Sequence, residues 1–427
     1  MKLQLTTNLP TSMPTSRQLN CSTVWWAFAI AIALASFACA AHAQTFQVIH
    51  YFTGGQDGAG PSGALTIDRG GHVFGTAGSG GVGNNGTVFE LRHSGALWIF
   101  NPLYHFKGGE DGSSPLAGVV IGPDGALYGT TNNDGSNGGG TAYLLRPPLT
   151  ACKTSFCFWS ETMMHSFGGS GDGYAPGNGS LLFDQAGNIY GTTEFGGSAG
   201  AGSVYELTKS GNSWTENILY SLGGPPNDGF QPDAGVIFDP AGNLYGTTAT
   251  GGADGDGTAF EITPSNGSWS EAGLYSFSNN DNNVGHYLTC GLIMDEAGNL
   301  YGTTWISGSV FEITRSNGQW IASAIYTAPH FGGLATLTMD QAGNLYGVSA
   351  VGSNGGNDSG PGFVFKLTKS NGTWTLTDLH DFTGSDGKEP SGPVTLDAAG
   401  NLWGTAGSGG QGCGNNGCGA VWEITAQ

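Results

Sequence analysis

From residue 44 onward, apolar positions come in short runs separated by Gly-rich or Asp/Asn/Ser-rich stretches. One stretch shows the pattern in full. Val236-Ile-Phe238 is a first strand-like run. Asp239-Pro-Ala-Gly242 then predicts a tight turn, with the Asp carboxylate accepting backbone N–H groups and the Gly free to take positive φ. Asn243 to Thr248 is a second run, and a Gly-rich loop ends at Asp256-Gly257. Thr258 to Ile262 is a third. Pro264-Ser-Asn-Gly267 turns the chain again, Asn-Gly being a strong hairpin signal, and Trp269 to Phe277 is a fourth.

This unit recurs. Its most regular part, Asp-x-Ala-Gly-Asn followed by an aliphatic, an aromatic, Gly and Thr or Val, starts at Asp184, Asp239, Asp295, Asp340 and Asp397. Looser copies run from Asp68 to Phe74-Gly-Thr and from Pro123 to Tyr128-Gly-Thr. The aromatics at 74, 128, 190, 245, 301, 346 and 403 are 54, 62, 55, 56, 45 and 57 residues apart. Four antiparallel strands in a unit of this length predict a β-propeller blade. The last copy stops after its third strand, Ala420 to Ile424, whereas Phe46 to Phe52 followed by Gly54-Gly55 matches a fourth strand such as Leu103 to Phe106 with Gly108-Gly109. The expected fold is therefore all-β: a seven-bladed propeller of four-stranded antiparallel blades over 44–427, closed by the amino-terminal strand. A ring closed this way leaves few exposed sheet edges, and no polar capping repeats of the kind an open solenoid needs stand at either end.

Gly-Asn-Leu-Tyr-Gly-Thr-Thr, a Gly-rich loop and Val-Phe-Glu-Leu-Thr together resemble the GloVer (Gloeo_Verruco) tandem repeat of secreted bacterial proteins. The resemblance covers nearly all of 44–427. It implies export and often a surface anchor, and it implies no agreed activity. Some relatives carry a carboxyl-terminal anchoring segment; the sequence reaches Gln427 without one, so that mode of attachment is not expected. WD40 units are nearer 40–45 residues with Gly-His and Trp-Asp signatures, which the sequence lacks.

Composition agrees with short strands and many turns. Of 427 residues, 78 are Gly, yet no Gly-X-Y period points to collagen. Charged residues are only 10% while aromatics reach 11%, too apolar a balance for a disordered chain. Residues 1–43 read as a signal peptide: Lys2 and Arg17 are basic, Val24 to Ala38 is apolar but short for a bilayer span, and Ala41-His42-Ala43 offers a cleavage site. Met13 is an alternative start. Cys39 raises a lipoprotein reading, disfavoured by Ser36 where an aliphatic is expected. The formal net charge of −20 argues against nucleic-acid or anionic-membrane partners. After export, Cys152 with Cys157 and Cys413 with Cys418 are expected to form small local disulfides; zinc is a weaker reading. Cys290 lies beside an apolar strand and is expected to be a buried thiol.

Aligning the copies sorts the candidate chemistry. His50, His165 and His380 share a position with Tyr104, Tyr220, Tyr275 and Tyr326, which predicts packing. Glu90, Glu206, Glu261, Glu312 and Glu423 share another position, with Leu144 and Lys366. Trp98, Trp159, Trp214, Trp269, Trp320 and Trp374 open fourth strands and are expected in the blade core. Asp-Gly-x-x-Pro, from Asp57, Asp111, Asp172, Asp228 and Asp386, reads as a turn between blades. Its single carboxylate makes a calcium ring a poor fit. Asp254-Gly-Asp256-Gly has some calcium-loop character but lacks the closing Glu. No cofactor or metal is expected.

The remaining departures fall on the face formed by second-to-third loops and inter-blade connections, where ligands of rigid scaffolds usually sit. Tyr174, Phe195, Phe230, Tyr287, Trp305 and Phe331 are candidate ligand-binding rings, suited to stacking on sugars beside Asp and Asn; the competing reading has each ring cover its own loop. No nucleophile elbow or metal-binding His pair is present. Glu110, Glu194 and Asp358 are the carboxylates an acid/base site could draw on. The sequence thus predicts a secreted, monomeric, non-catalytic binding or scaffold module, with polysaccharide or a cell-surface glycan as partner. The alternative is a glycan hydrolase or lyase, which two off-repeat buried acids at the channel mouth would favour.

Overall fold

The computed structural model describes residues 44–148, 158–168, 171–224, 227–279, 284–306, 308–327, 332–352 and 360–426. The predicted signal peptide (1–43), Cys152, Cys157, Phe331 and Asp358 lie outside the described residues. Thr45–Ala426 forms seven four-stranded antiparallel blades arranged as a propeller. Blade 1 consists of Thr66–Ile67, Val73–Ala77, Thr87–Ser94 and Leu97–His105, ordered from the inner strand outward. Blades 2 to 6 follow in chain order, with outer strands Ser160–Ser166, Ser213–Ser221, Ser268–Ser276, Gln319–Thr327 and Thr373–Asp381. Blade 7 takes Thr395–Leu396, Leu402–Ala406 and Ala420–Ile424 from the carboxyl terminus and Phe46–Tyr51 from the amino terminus.

That closure has the internal register of every other blade. Phe46 pairs with Ile424, Val48 with Trp422 and Tyr51 with Ala420, with an irregularity between Val48 and His50. The same irregularity falls between Val88 and Phe89, Val204 and Tyr205, and Val364 and Phe365, at equivalent points of the third strands. A β-bulge of this kind sharpens the local twist of the outer strand, and the amino-terminal strand has inherited it.

Each conserved-looking element of the repeat has a physical cause. The Gly of Gly-Thr lies beneath the aromatic of the third strand: a Cβ on Gly75 would approach Phe89 Cζ to 2.5 Å, and one on Gly302 would approach Phe311 Cζ to 2.5 Å. The following Thr reaches the segment that leads into the next blade's inner strand. Thr76 donates to the Ala117 carbonyl at 2.9 Å, Thr192 to Ala234 at 2.8 Å, Thr247 to Cys290 at 2.7 Å and Thr303 to Ala335 at 3.2 Å. In the short turn, Asp239 Oδ1 accepts the N–H groups of Ala241 and Asn243, and Oδ2 accepts from the Asn243 amide and the Tyr245 hydroxyl. Tyr245 also contacts Glu261 at 2.9 Å. The Asp is thus a turn former and the Glu a strand residue that closes the clamp.

The buried clusters lie between blades. One joins Tyr128 and Ala142 of blade 2 to Tyr205 and Leu207 of blade 3. The fourth-strand tryptophans pack against these clusters, as expected of core residues, but the clusters lie between blades and not within one. They sit at blade interfaces, where each wedges against the second-strand aromatic of the preceding blade: Trp98 against Trp403 (5.2 Å), Trp214 against Tyr128 (6.2 Å) and Trp374 against Tyr301 (6.2 Å). The His/Tyr position is likewise more than packing. His50 meets Asp57 at 3.2 Å, Tyr104 meets Asp111 at 2.7 Å, Tyr220 meets Asp228 at 3.1 Å and His380 meets Asp386 at 3.0 Å. At the five junctions that carry Asp-Gly-x-x-Pro, the outer strand therefore holds the loop that leads to the next blade. Cys413 and Cys418 form a disulfide, against which Gly54 packs just after the closing strand. Cys290 is a buried thiol outside the disulfide.

Candidate functional site

The inner strands surround a channel of about 310 Å³ with apolar walls, among them Leu181, Val236, Leu292 and Ala335. On the face of the variable loops it opens into a wider cavity of about 580 Å³, whose lining includes Asn178, Asp233, Tyr287, Thr289, Trp305 and Ser391. Asn178, Thr289, Cys290 and Ser391 belong to both walls, so throat and mouth are continuous.

Two of the predicted rings meet here. Trp305 follows Gly-Thr-Thr in blade 5, and its backbone N–H donates to the Tyr287 carbonyl at 2.9 Å. Both side chains remain open to solvent, Trp305 at 45% and Tyr287 at 37%. Tyr287 has φ 61°, but so do its counterparts in other connections, Ser114 (56°), Ala175 (54°), Gln231 (60°) and Glu389 (56°). The left-handed conformation is a property of the second variable slot of the inter-blade turn, and marks no special strain at the mouth.

Tyr174 and Phe230 occupy the first slot, and their surroundings differ. That slot pairs with the second-to-third loop of its own blade: Tyr174 faces Phe195 across one short ladder and Phe230 faces Thr250 across another. These three rings are exposed on the rim. Phe230 also covers Gly223 and Gly251, where an added Cβ would meet its ring. The six predicted rings therefore divide into a pair at the mouth and three on the rim, with Phe331 outside the described residues.

The polar partners at the mouth are Asn178 and Asp233. The Asn178 amide donates to Asp233 Oδ1 at 2.8 Å. Burial raises the Asp233 carboxyl above its ordinary range, although its bonds to Asn178 pull the other way. Glu194 holds in blade 3 the repeat position that Trp305 holds in blade 5; burial and then the charge of Asp233 raise its carboxyl as well. Sequence reasoning named Glu194 but missed Asp233 and Asn178. Their signal was available: Asp233 follows the loop Pro where other copies have Ser62, Leu116, Gly177 and Ser391. Among the described residues, the lining contains no Lys, Arg or His.

The other candidates lie elsewhere. Glu110 is exposed in a short 3-10 turn, Gly109–Asp111. Asp256 Oδ2 accepts the Asn279 N–H at 2.9 Å and braces its loop.

A family model described as the Gloeobacter/Verrucomicrobia repeat matches residues 36–176 and 152–308. Curated proteins give no sequence match. Among solved structures, virginiamycin B lyase from Staphylococcus aureus is similar at 16% identity and TM-score 0.55, over 90% of this chain and 100% of that one. The polysaccharide lyase Uly1 is similar at 13% identity and TM-score 0.49, over 93% and 95%. A gluconolactonase from Xanthomonas campestris is similar at 15% identity and TM-score 0.40, over 74% and 90%. At these identities the likenesses concern the fold alone. With its repeat pattern matched over residues 36–308, the chain belongs to the Gloeobacter/Verrucomicrobia repeat family.

Proposed function

We propose that this propeller is a secreted, monomeric binding module that takes a neutral saccharide at the channel mouth. The observation that carries the reading is Trp305 standing open beside Tyr287 above a cavity edged by the hydrogen-bonded pair Asn178 and Asp233. An aromatic face suits the C–H side of a pyranose, and an amide–carboxyl pair suits its hydroxyls. The described lining residues include no basic side chain, which disfavours uronates and sulfated glycans, whose charge would be buried without a partner. A glycan array of the processed protein, followed by calorimetry, tests this. Neutral oligosaccharides should bind and polyuronates should not, and Trp305→Ala should weaken retention. Amino-terminal sequencing of exported protein, with Gln44 as the expected first residue, tests the leader.

One observation favours hydrolysis as a second reading. Asp233 and Glu194 are off-repeat acids whose carboxyls are raised by burial, the direction that suits a donor to a leaving oxygen. Release of reducing ends from a bound glycan, lost in both Asp233→Asn and Glu194→Gln, would support it. Unchanged chain length after prolonged incubation would remove it.

A further inference from the structure

The junctions between blades share one design with three variable places: the His or Tyr of an outer strand, the Asp of the following loop, and a residue on the next blade's outer strand. Where the first is His, the third is usually Phe: His50 stacks on Phe100 at 4.1 Å and His380 on Phe46 at 3.5 Å. Where the first is Tyr and the Asp is present, the third is Glu: Glu161 opposes Asp111, and Glu271 opposes Asp228. Between blades 2 and 3 the two patterns combine. His165 of the blade 2 outer strand, Asp172 of the loop and Glu216 of the blade 3 outer strand converge, with one ligand-type atom from each within 4.8 Å of the others. No other group of three such residues lies so close among the described residues.

His165 Nε2 lies 3.1 Å from Asp172 Oδ2 and 3.8 Å from Glu216 Oε2. Ligand atoms about 2.0–2.1 Å from a tetrahedral zinc ion stand roughly 3.4 Å apart, between these two values. The Glu216 side chain is 10% exposed, and its Oε1 is buried with no hydrogen-bond partner. Glu216 shares a side-chain hydrogen bond with Asp172, yet its Oε1 stays unpaired, and an unpaired carboxyl oxygen in a half-buried site is costly unless a cation or proton satisfies it. His165 is 22% exposed, which leaves an approach from solvent.

We propose that the junction between blades 2 and 3 is a zinc-type divalent metal site, with His165 Nε2, Asp172 Oδ2 and the Glu216 carboxylate as protein ligands and one position open to water. The ion would tie two neighbouring outer strands to the loop between them. The ring itself supplies fold-preserving controls. His165→Tyr recreates the Tyr–Asp–Glu junctions, and Glu216→Phe recreates the His–Asp–Phe junctions.

The test uses untagged full-length processed protein, stripped with chelator and titrated with Zn²⁺, Mg²⁺ and Ca²⁺ by calorimetry, with thermal melts in parallel. We expect one Zn²⁺ per chain, a Tm raised by Zn²⁺, and at least a 100-fold loss of affinity in each variant while its metal-free Tm stays near that of the parent. Three outcomes overturn the assignment: no stoichiometric Zn²⁺ binding, Zn²⁺ binding that survives His165→Tyr, or tighter binding of Mg²⁺ or Ca²⁺ than of Zn²⁺. The last would mean that oxygen ligands alone set the site.

Discussion

Replacing Trp305 with Ala probes the channel mouth most directly. Trp305 keeps 45% of its surface exposed. An indole side chain offers up to roughly 250 Å², so about 110 Å² remains for a ligand. A pyranose covers one face, about half of that, which at about 25 cal/mol per Å² amounts to ~1.4 kcal/mol. Ring stacking contributes about 0.5–1 kcal/mol more. The total, about 2 kcal/mol, predicts a Kd raised roughly 30-fold, since 1.4 kcal/mol is tenfold. Trp305→Phe should recover part of the loss. Tyr174→Ala, on the rim, should leave Kd within about twofold, because that ring faces Phe195 and not the cavity. Calorimetry with the best neutral oligosaccharide from the array reads all three, and melts confirm that the variants stay folded. Equal affinities for Trp305→Ala and the parent, or equal losses at Trp305 and Tyr174, would refute the placement of the ligand at the mouth.

Four further substitutions test the ring. Gly302→Ala places a Cβ 2.5 Å from Phe311 Cζ and 3.0 Å from Leu292 Cδ2; overpacking of this kind costs about 1–3 kcal/mol, and a denaturant midpoint unchanged from the parent would contradict the stated role of the motif glycine. Phe46→Ala removes the ring stacked on His380, just as Phe100→Ala removes the one stacked on His50; each should cost about 2–3 kcal/mol at a half-buried site, and a silent Phe46→Ala would show that the closing strand contributes no stability. Glu271 faces Asp228 at the next junction, with Tyr220 beside them, and burial followed by the Asp228 charge pushes its carboxyl up to about 7. A folded-state value above the ordinary 4.5 means that stability is full below pH 4.5 and is lost as pH rises through about 7; Glu271→Gln should therefore raise Tm at pH 8 and leave it unchanged at pH 4, and a gain of equal size at both would exclude the ionisation as its cause.

Much of this architecture was legible in the sequence because each repeat is a local device. Asp239, Asn243 and Tyr245 satisfy one another within seven residues, so their spacing alone declared the turn. Closure was legible because Phe46 to Phe52 looks like any other outer strand. What escaped the reading crosses a blade boundary. Alignment showed that His50 and Tyr104 are interchangeable, but not that both hold the Asp of the following loop. The tryptophans looked like core, yet each packs against the blade before its own. The short rim ladders, such as Gly229–Phe230 with Thr250–Gly251, are too brief for any periodic signal. At the site, Trp305 stood out as an aromatic in a loop of small residues. Asp233 and Asn178 did not, because an Asp or Asn after a turn has an ordinary explanation until the ring brings them to one cavity.

The repeat also changes what the net charge implies. Of the formal −20, many carboxylates are spent within the ring. The short-turn Asp residues accept backbone N–H groups, and the loop Asp residues accept from His or Tyr of the preceding blade. Glu161 and Glu271 are pushed up to about 7 by burial and by the neighbouring loop Asp, so near neutrality each is charged only part of the time. The formal charge therefore overstates the field that a ligand meets, and global repulsion is a weak reason to expect a neutral one. The stronger reason is local. A buried anionic group needs a cation or several directed donors. Among the described residues the channel mouth provides the Asn178 amide, already given to Asp233, and hydroxyls such as those of Thr289 and Ser391, with no basic side chain among them. On the proposed saccharide reading, selection against anionic glycans would follow from which side chains reach the channel, and changing Ser391 or Thr289 to Lys is the substitution that should begin to reverse it.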